Sequence, residues 1–352
     1  MITIGVDFHK RSSSYTVLDQ NGTMIKQCKF ENTPERITRF LSQWEGPKQL
    51  AMEATYNWGL FYETARPYVD KFLLGHPAKM KAITASETKC DRHDAFMIAQ
   101  LTAMGFLPKA YIPCHDNRQL RSLVRFRSFL VRQRSAIRNN TQVLIDRNLW
   151  PSERPKLFKN IYCRKGRLWL KALPLPDKER FILDELIYVF EQLDEQIKRI
   201  ESFINQEAFD IPEVEYLRTV PGLRQSKVYL YSILFEIDDI RRFTKARHLA
   251  RYAGLIPSEH SSGEKQRSGR LIQRSNHALR TSIIEATLSA LLADKQLKAY
   301  YQSIKARRGS GAAIIACARK LSYAIYYVLK EQRSYRPFPP AAASSPLAVN
   351  PL

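Results

Sequence analysis

The sequence predicts an α/β domain at the N-terminus, a helical and coiled-coil middle, and a mostly α C-terminal domain. Three observations carry that expectation. Strand-like runs joined by a hairpin turn open the chain, a sustained heptad fills its centre, and helical periodicity returns from residue 226 onward.

Residues 2–7, 14–19 and 24–30 read as three successive strands, with Asn21-Gly22 as the hairpin turn between the last two. Thr33-Pro34 opens a helix, a capping residue followed by proline at the first helical position. Residues 50–53 and 71–74 are short strands of buried type, with a helix between them near 58–68. A further helix runs over 91–104 and is stopped by Gly105 and Pro108. A meander followed by alternating helices and strands predicts a mixed sheet. Acids closing the short early strands are the general plan of an RNase H-like domain.

Over 117–149 the pattern is helical, with Leu120, Val124, Leu130, Ile137 and Leu144 apolar. Arg118, Arg121, Arg125, Arg127, Arg132, Arg134 and Arg138 cluster around them. So many arginines with few acids predict a phosphate-facing helix, against the alternative of a solvated amphipathic one. Pro151, Pro155, Pro174 and Pro176 bracket a basic stretch read as an irregular linker. Leu183, Leu186, Phe190, Leu193, Ile197, Ile200 and Ile204 then recur every three or four residues. This heptad is expected either to fold back on the basic helix or to pair with another chain, and its acidic surface favours assembly.

The last third begins with Thr219-Val220-Pro221-Gly222-Leu223, a helix-hairpin-helix-like turn whose amides are expected to face a phosphate. Helices follow at 226–236, 244–252, 275–293 and 311–330, with a polar loop over 252–270 and a Pro/Ala/Ser tail expected to be disordered. The predicted domains are therefore 1–112, 113–212 and 213–332, with 333–352 as the tail.

Charge narrows the class. The chain carries 56 Lys and Arg against 34 Asp and Glu, net +22. Residues 116–176 alone carry net +12, and residues 177–216 carry −8. Such a surplus points to a polyphosphate partner rather than to anionic membrane. The apolar runs are too short to predict a membrane span, and the strand pattern beginning at Ile2 leaves no room for a leader. Five scattered cysteines without a C-x-x-C argue against disulfides or zinc and for a reducing cytoplasm.

Against that basic background four acids stand out: Asp7, Glu53, Asp91 and Asp94. Asp7 and Glu53 each close an apolar run, and Asp91 and Asp94 share a helical face. Converging carboxylates suit Mg²⁺ or Mn²⁺, and such ions can clamp the attacking and leaving oxygens of a phosphodiester. His9 and His93 flank the acids and are read as neighbours rather than ligands.

These residues carry a resemblance. Gly5-Val6-Asp7 with Lys10, Glu53-Ala54-Thr55, Pro77-Ala78-Lys79 and Lys89-x-Asp91-x-x-Asp94-Ala95 resemble the RuvC-like domain of bacterial transposases of the insertion sequence one-ten family. Val220-Pro221-Gly222, Arg242-Phe243, Tyr252-Ala253-Gly254-Leu255-x-Pro257, Ser262-Gly263 and Leu279-Arg280 resemble its second, transposase domain. The match runs over about 2–330, in order. The chain departs from the family pattern at Tyr56 and Arg224, where glycine is usual, and at Cys90, commonly threonine.

The resemblance implies that Asp7, Glu53, Asp91 and Asp94 form a metal-binding set. It implies that Ser262 is a nucleophile giving a covalent phosphoserine, that a structured guide RNA pairs with target and donor DNA, and that the protein is a dimer or tetramer. Arg121, Arg125, Arg132, Arg138, Arg224, Arg267 and Arg270 are the expected nucleic-acid contacts, and double-stranded DNA at element ends and target is the expected substrate. Serine needs a base or a metal to attack; His260 lies two residues away, and the metal site is the expected activator. Two other readings stay open: a metal-dependent junction-resolving nuclease with water as nucleophile, and a silent nucleic-acid binder.

Overall fold

A computed structural model describes residues 1–80, 91–150, 152, 160–224, 227–262 and 265–337, with backbone alone for 259–262, 265–268 and 270. Cys90, Pro151, Pro155, Gly263 and the tail from 338, all singled out by the sequence, lie outside the described residues. The chain divides into two units, Met1–Pro113 and Cys114–Leu352.

The first unit is organised by one mixed sheet. Strands β1 (Ile2–Phe8), β2 (Ser12–Leu18) and β3 (Met24–Glu31) form an antiparallel meander. Strands β4 (Lys48–Glu53) and β5 (Lys71–Gly75) add parallel to β1, in the order β3-β2-β1-β4-β5. The Asp19 carboxylate accepts the amides of Asn21 and Thr23, fixing the hairpin at Asn21-Gly22. Helix α1 (Pro34–Ser42) starts at the Thr33 cap, whose hydroxyl accepts the Arg36 amide. With α2 (Trp58–Ala65) it covers one face of the sheet, burying Ile4, Val6, Tyr15, Leu50 and Met52 against Phe40 and Phe61. A short α3 (Pro77–Met80) follows β5.

Helix α4 (Asp91–Ala103) covers the other face. Strand alternation sends Thr3, Gly5 and Asp7 to that side. Gly5 is where the helix comes closest: a Cβ there would lie 2.2 Å from the Ala95 carbonyl oxygen and 2.5 Å from the Ala99 amide. No other residue lets α4 sit at this depth.

In the second unit α5 (His115–Asn148) and α7 (Asp177–Glu207) form an antiparallel hairpin. Arg134 pairs with Asp194 at 2.5 Å and Arg127 with Glu201 at 2.7 Å, so a heptad down one helix is a heptad up the other. The seam residues Leu183, Phe190, Ile197 and Ile204 are buried within the chain. Of the two expected uses of the heptad, the fold-back is the one seen within the chain. The stretch read as an irregular linker contains α6 (Arg164–Lys171), which buries Gly166 and Leu170. At two turns it is too short to show a period.

Helices α8 (Pro212–Arg218), α9 (Lys227–Ile237), α10 (Ala246–Tyr252), α11 (His277–Ala293) and α12 (Lys295–Lys330) complete the unit around one core that also takes in Val124 and Ile204. Residues 114–212 thus cluster in one unit with 213–332. Two expectations change here. The 252–270 stretch is not a loop: β6 (Pro257–Ser262) and β7 (Lys265–Leu271) pair as an antiparallel ribbon. The Val220-Pro221-Gly222-Leu223 turn is a packing element, with Val220 and Leu223 fully buried. Gly222 (φ +85°) makes a close approach to helix α11, because a Cβ there would lie 2.0 Å from the Ala286 carbonyl oxygen.

Helix α12 bends at Gly309 (φ 79°, ψ 171°). Among the described residues it holds a stretch long and apolar enough, by length and composition, to cross a membrane, with mean hydropathy 1.3. Half of that stretch is buried, and Cys317, Leu321 and Ile325 pack into the core, as in a core helix.

Gly222→Ala is expected to cost about 3 kcal/mol, combining left-handed strain with overpacking. Gly46→Ala, also at positive φ but with open space around it, should cost about 1 kcal/mol. Urea denaturation of both variants checks this; equal losses would leave the α11 contact without energetic weight.

Candidate active site and nucleic-acid interface

The acids meet because two parallel strands run in register. Val6 pairs with Met52, so the next residues, Asp7 and Glu53, leave the same end of adjacent strands, about 4.8 Å apart between backbones. Both point to the α4 face, by the alternation that buries Val6 and Met52 on the other side. The first turn of α4 brings Asp91 and Asp94 to the same face.

The structure gathers Asp7, His9 and Asp91 most tightly: one ligand atom from each lies within 4.8 Å of the others. His9 Nε2 is 2.9 Å from Asp7 Oδ2 and 3.5 Å from Asp91 Oδ1. Burial pushes the Asp7 carboxyl above the usual carboxylate range, against the pull of His9, and the charges of Asp94 and Asp91 push it the same way. Lys29 Nζ donates to Asp91 Oδ2 at 2.8 Å and holds that carboxyl below its ordinary value, against a smaller desolvation. Glu53 and Asp94 stand outside the tight group, Glu53 on the neighbouring strand end and Asp94 one helical turn from Asp91.

The donor set fits a hard divalent cation. A half-buried carboxylate crowded by like charges is costly to ionise unless a cation sits beside it, and oxygen donors with one imidazole suit Mg²⁺ or Mn²⁺. One residue at the site escaped the sequence reading, and a second was named without its contact. Asp7 pairs with Ser14, and Ser14 with Lys29, so the meander register aligns Lys29 with the acids; the hairpin turn alone did not reveal that alignment. His9 was visible beside Asp7 but was assigned no contact.

The arginine-rich helix α5 is used differently from expectation. Glu236, on α9, is fully buried. Arg125 donates to both its carboxylate oxygens, at 2.6 and 2.9 Å, and Asn276 donates at 2.7 Å. Arg121 lies 3.5 Å from the same carboxylate and donates to the Phe235 and Glu236 carbonyls. Burial alone would raise the Glu236 pKa, yet these hydrogen bonds and charges outweigh it and hold it below the usual range. Arg121 and Arg125 are therefore tied to Glu236 within the fold, although the Arg125 side chain stays 55% exposed. Arg127 and Arg134 are committed to α7. Arg132, Arg138 and Arg224 are exposed.

Ser262 ends β6, with Lys265 as its cross-strand partner, and Arg267 stands opposite His260 on β7; Arg270 lies further along the same strand. The serine and the acids belong to different units.

Comparison with known families bears on both halves. Residues 4–148 match the model of a DEDD transposase domain, and residues 214–302 match the model of the IS116/IS110/IS902 transposase family. The chain belongs to this family. Relatives include a probable family 20 transposase of Pseudomonas aeruginosa, 26% identical over 95% of this chain and 98% of its own. A pilin gene-inverting protein of Moraxella lacunata is 26% identical over 94% and 97%. The transposase for an insertion sequence element of Coxiella burnetii is 25% identical over 70% and 68%. Membership makes the chain a DNA transposase or recombinase, and the acid cluster stands in the matched DEDD segment.

Mn²⁺ at a hundredfold excess over its dissociation constant should stabilise the wild type by about 2.7 kcal/mol, a melting shift of several degrees. Asp7→Asn should melt at or above the wild type without metal, since its charge is already opposed, and should gain nothing from Mn²⁺. Calorimetry of both proteins with and without the ion checks this; an equal Mn²⁺ shift in Asp7→Asn would place the ion elsewhere.

Proposed function

We propose that this transposase cuts and rejoins DNA strands through a phosphoserine intermediate, with Ser262 as nucleophile and a divalent cation held by Asp7, Glu53, Asp91 and Asp94. The observation that carries the metal half is the register of Val6 with Met52, which sends two acids from adjacent strand ends toward the first turn of α4. The strand order β3-β2-β1-β4-β5 supports reading residues 1–112 as an RNase H-like domain of RuvC type. Residues 213–332, ending the ribbon strand β6 at Ser262, are read as the transposase segment.

When bound, the cation supplies positive charge to a phosphate and lowers the pKa of a nearby hydroxyl. The serine oxygen bonds to phosphorus, the deoxyribose oxygen leaves and takes up a proton, and a second strand's hydroxyl later reverses the exchange. One phosphodiester is replaced by one phosphoserine ester, so rejoining needs no external energy source. Arg132, Arg138, Arg224, Arg267 and Arg270 are the proposed phosphate contacts. A structured RNA guide belongs to the proposal through the family likeness, and the chain's net charge of +22 suits such a polyanion. Assembly as a dimer or tetramer also belongs to it. With the heptad seam closed internally, the exposed Phe126, Phe129, Phe181, Tyr188 and Phe203 of the hairpin are the surface that supports it.

The test is a suicide DNA substrate incubated with purified protein, its co-purifying RNA and Mg²⁺, resolved on a denaturing gel. A protein–DNA adduct mapping by mass spectrometry to Ser262 is expected, absent in Ser262→Ala although that variant still binds DNA. Cleavage without an adduct, undiminished in Ser262→Ala, would favour the nuclease in which water attacks.

A further inference from the structure

The second unit contains a cavity of about 750 Å³ at the root of the β6–β7 ribbon. Leu255, Pro257 and Leu271 form an apolar wall where the ribbon leaves the core. Gly269 of β7 adds to it, the rest comes from α12, and the Gly309 bend explains how. Tyr300 and Arg308 precede the bend, Arg319, Lys320 and Tyr323 follow it, and all five line one space.

The lining chemistry is specific. Among the described residues that line it there are three cationic side chains and no carboxylate. Lys320 Nζ sits 4.3 Å from the centre of the Tyr300 ring. Arg319 Nε donates to the Tyr323 hydroxyl at 3.1 Å, with its guanidinium carbon 5.7 Å from that ring. Cations for a phosphate, aromatic faces for a planar group and an apolar wall answer the three parts of a nucleotide. The volume falls in the range of single small-molecule sites, and only an unpaired base offers its face for stacking.

We infer that this cavity binds one unpaired nucleotide of a DNA strand, its base against Tyr300 and Tyr323 and its phosphate on Arg308 and Arg319. The inference rests on the family's action on DNA, and it does not depend on Ser262 being the nucleophile. The ribbon runs from Pro257 at the cavity wall to Ser262 at its far end, a span of roughly 17 Å. A nucleotide held at the root would tether a strand within a few nucleotides of the ribbon's end.

The experiment uses the full chain and a short oligothymidine carrying one 2-aminopurine, whose fluorescence falls when it stacks on an aromatic ring. Wild type and Ser262→Ala should quench and bind alike. Tyr300→Ala/Tyr323→Ala should bind the single strand at least about tenfold more weakly, with duplex affinity changed less than about twofold, and Tyr323→Phe should restore binding. If the double variant fails to fold, exposed Arg308→Ala gives the same reading through a loss confined to the single strand. Wild-type affinity in a folded double variant would overturn the inference. So would equal losses for duplex and single strand, or binding confined to an oligouridine of the same length. Loss of the phosphoserine adduct with intact quenching would remove the proposed mechanism and leave this site standing.

Discussion

The depth at which α4 sits on β1 at Gly5 governs the first unit's chemistry. Asp7 and Glu53 are fixed by the sheet, whereas Asp91 and Asp94 ride on the helix. Any side chain at position 5 would meet the Ala95 carbonyl at 2.2 Å, and reaching ordinary contact near 3.4 Å lifts the helix by about 1 Å. Displacements of that size are enough to cost catalytic groups most of their effect. Parallel pairing of β1 with β4 sets two acids, glycine lets a helix bring two more, and Lys29 and His9 hold the cluster's charge in balance.

The second unit solves a different electrostatic problem. The sequence carries a strongly basic block followed at once by an acidic one, and the fold pairs them. Arg127 and Arg134 meet Glu201 and Asp194 across the α5–α7 hairpin, while Arg125 and Arg121 neutralise the buried Glu236. An unpaired carboxylate at that depth would be costly, so these arginines hold α5 to α9. Among the described residues, Arg132 and Arg138 of the hairpin and Arg224 stay exposed.

The sheet, and the placing of acids at two strand ends and in the first turn of α4, were legible because they rest on local signals: two-residue alternation, a hairpin turn, a capped helix and carboxylates closing apolar runs. Lys29 was hidden because its neighbour is set by strand register over the whole meander. The partners of Arg121 and Arg125 lie more than a hundred residues away, at Glu236, and no local pattern announces a buried carboxylate. The β6–β7 ribbon was missed because it alternates polar with polar and has no apolar face to betray a strand. The packing of Gly222 on helix α11 was not legible, because from sequence alone a glycine needed for close backbone approach does not name its neighbour.

On the proposed mechanism, register and helix docking build a divalent-cation site at Asp7 and Asp91. A crystal of the full chain soaked in Mn²⁺, with anomalous data collected at the manganese edge, tests it most directly. A peak is expected within coordination distance of Asp7 and Asp91 oxygens, with Lys29 displaced from Asp91 or bridging to a metal-bound water. Diffracting crystals with manganese bound elsewhere, and the Lys29–Asp91 pair intact around an empty cluster, would contradict it.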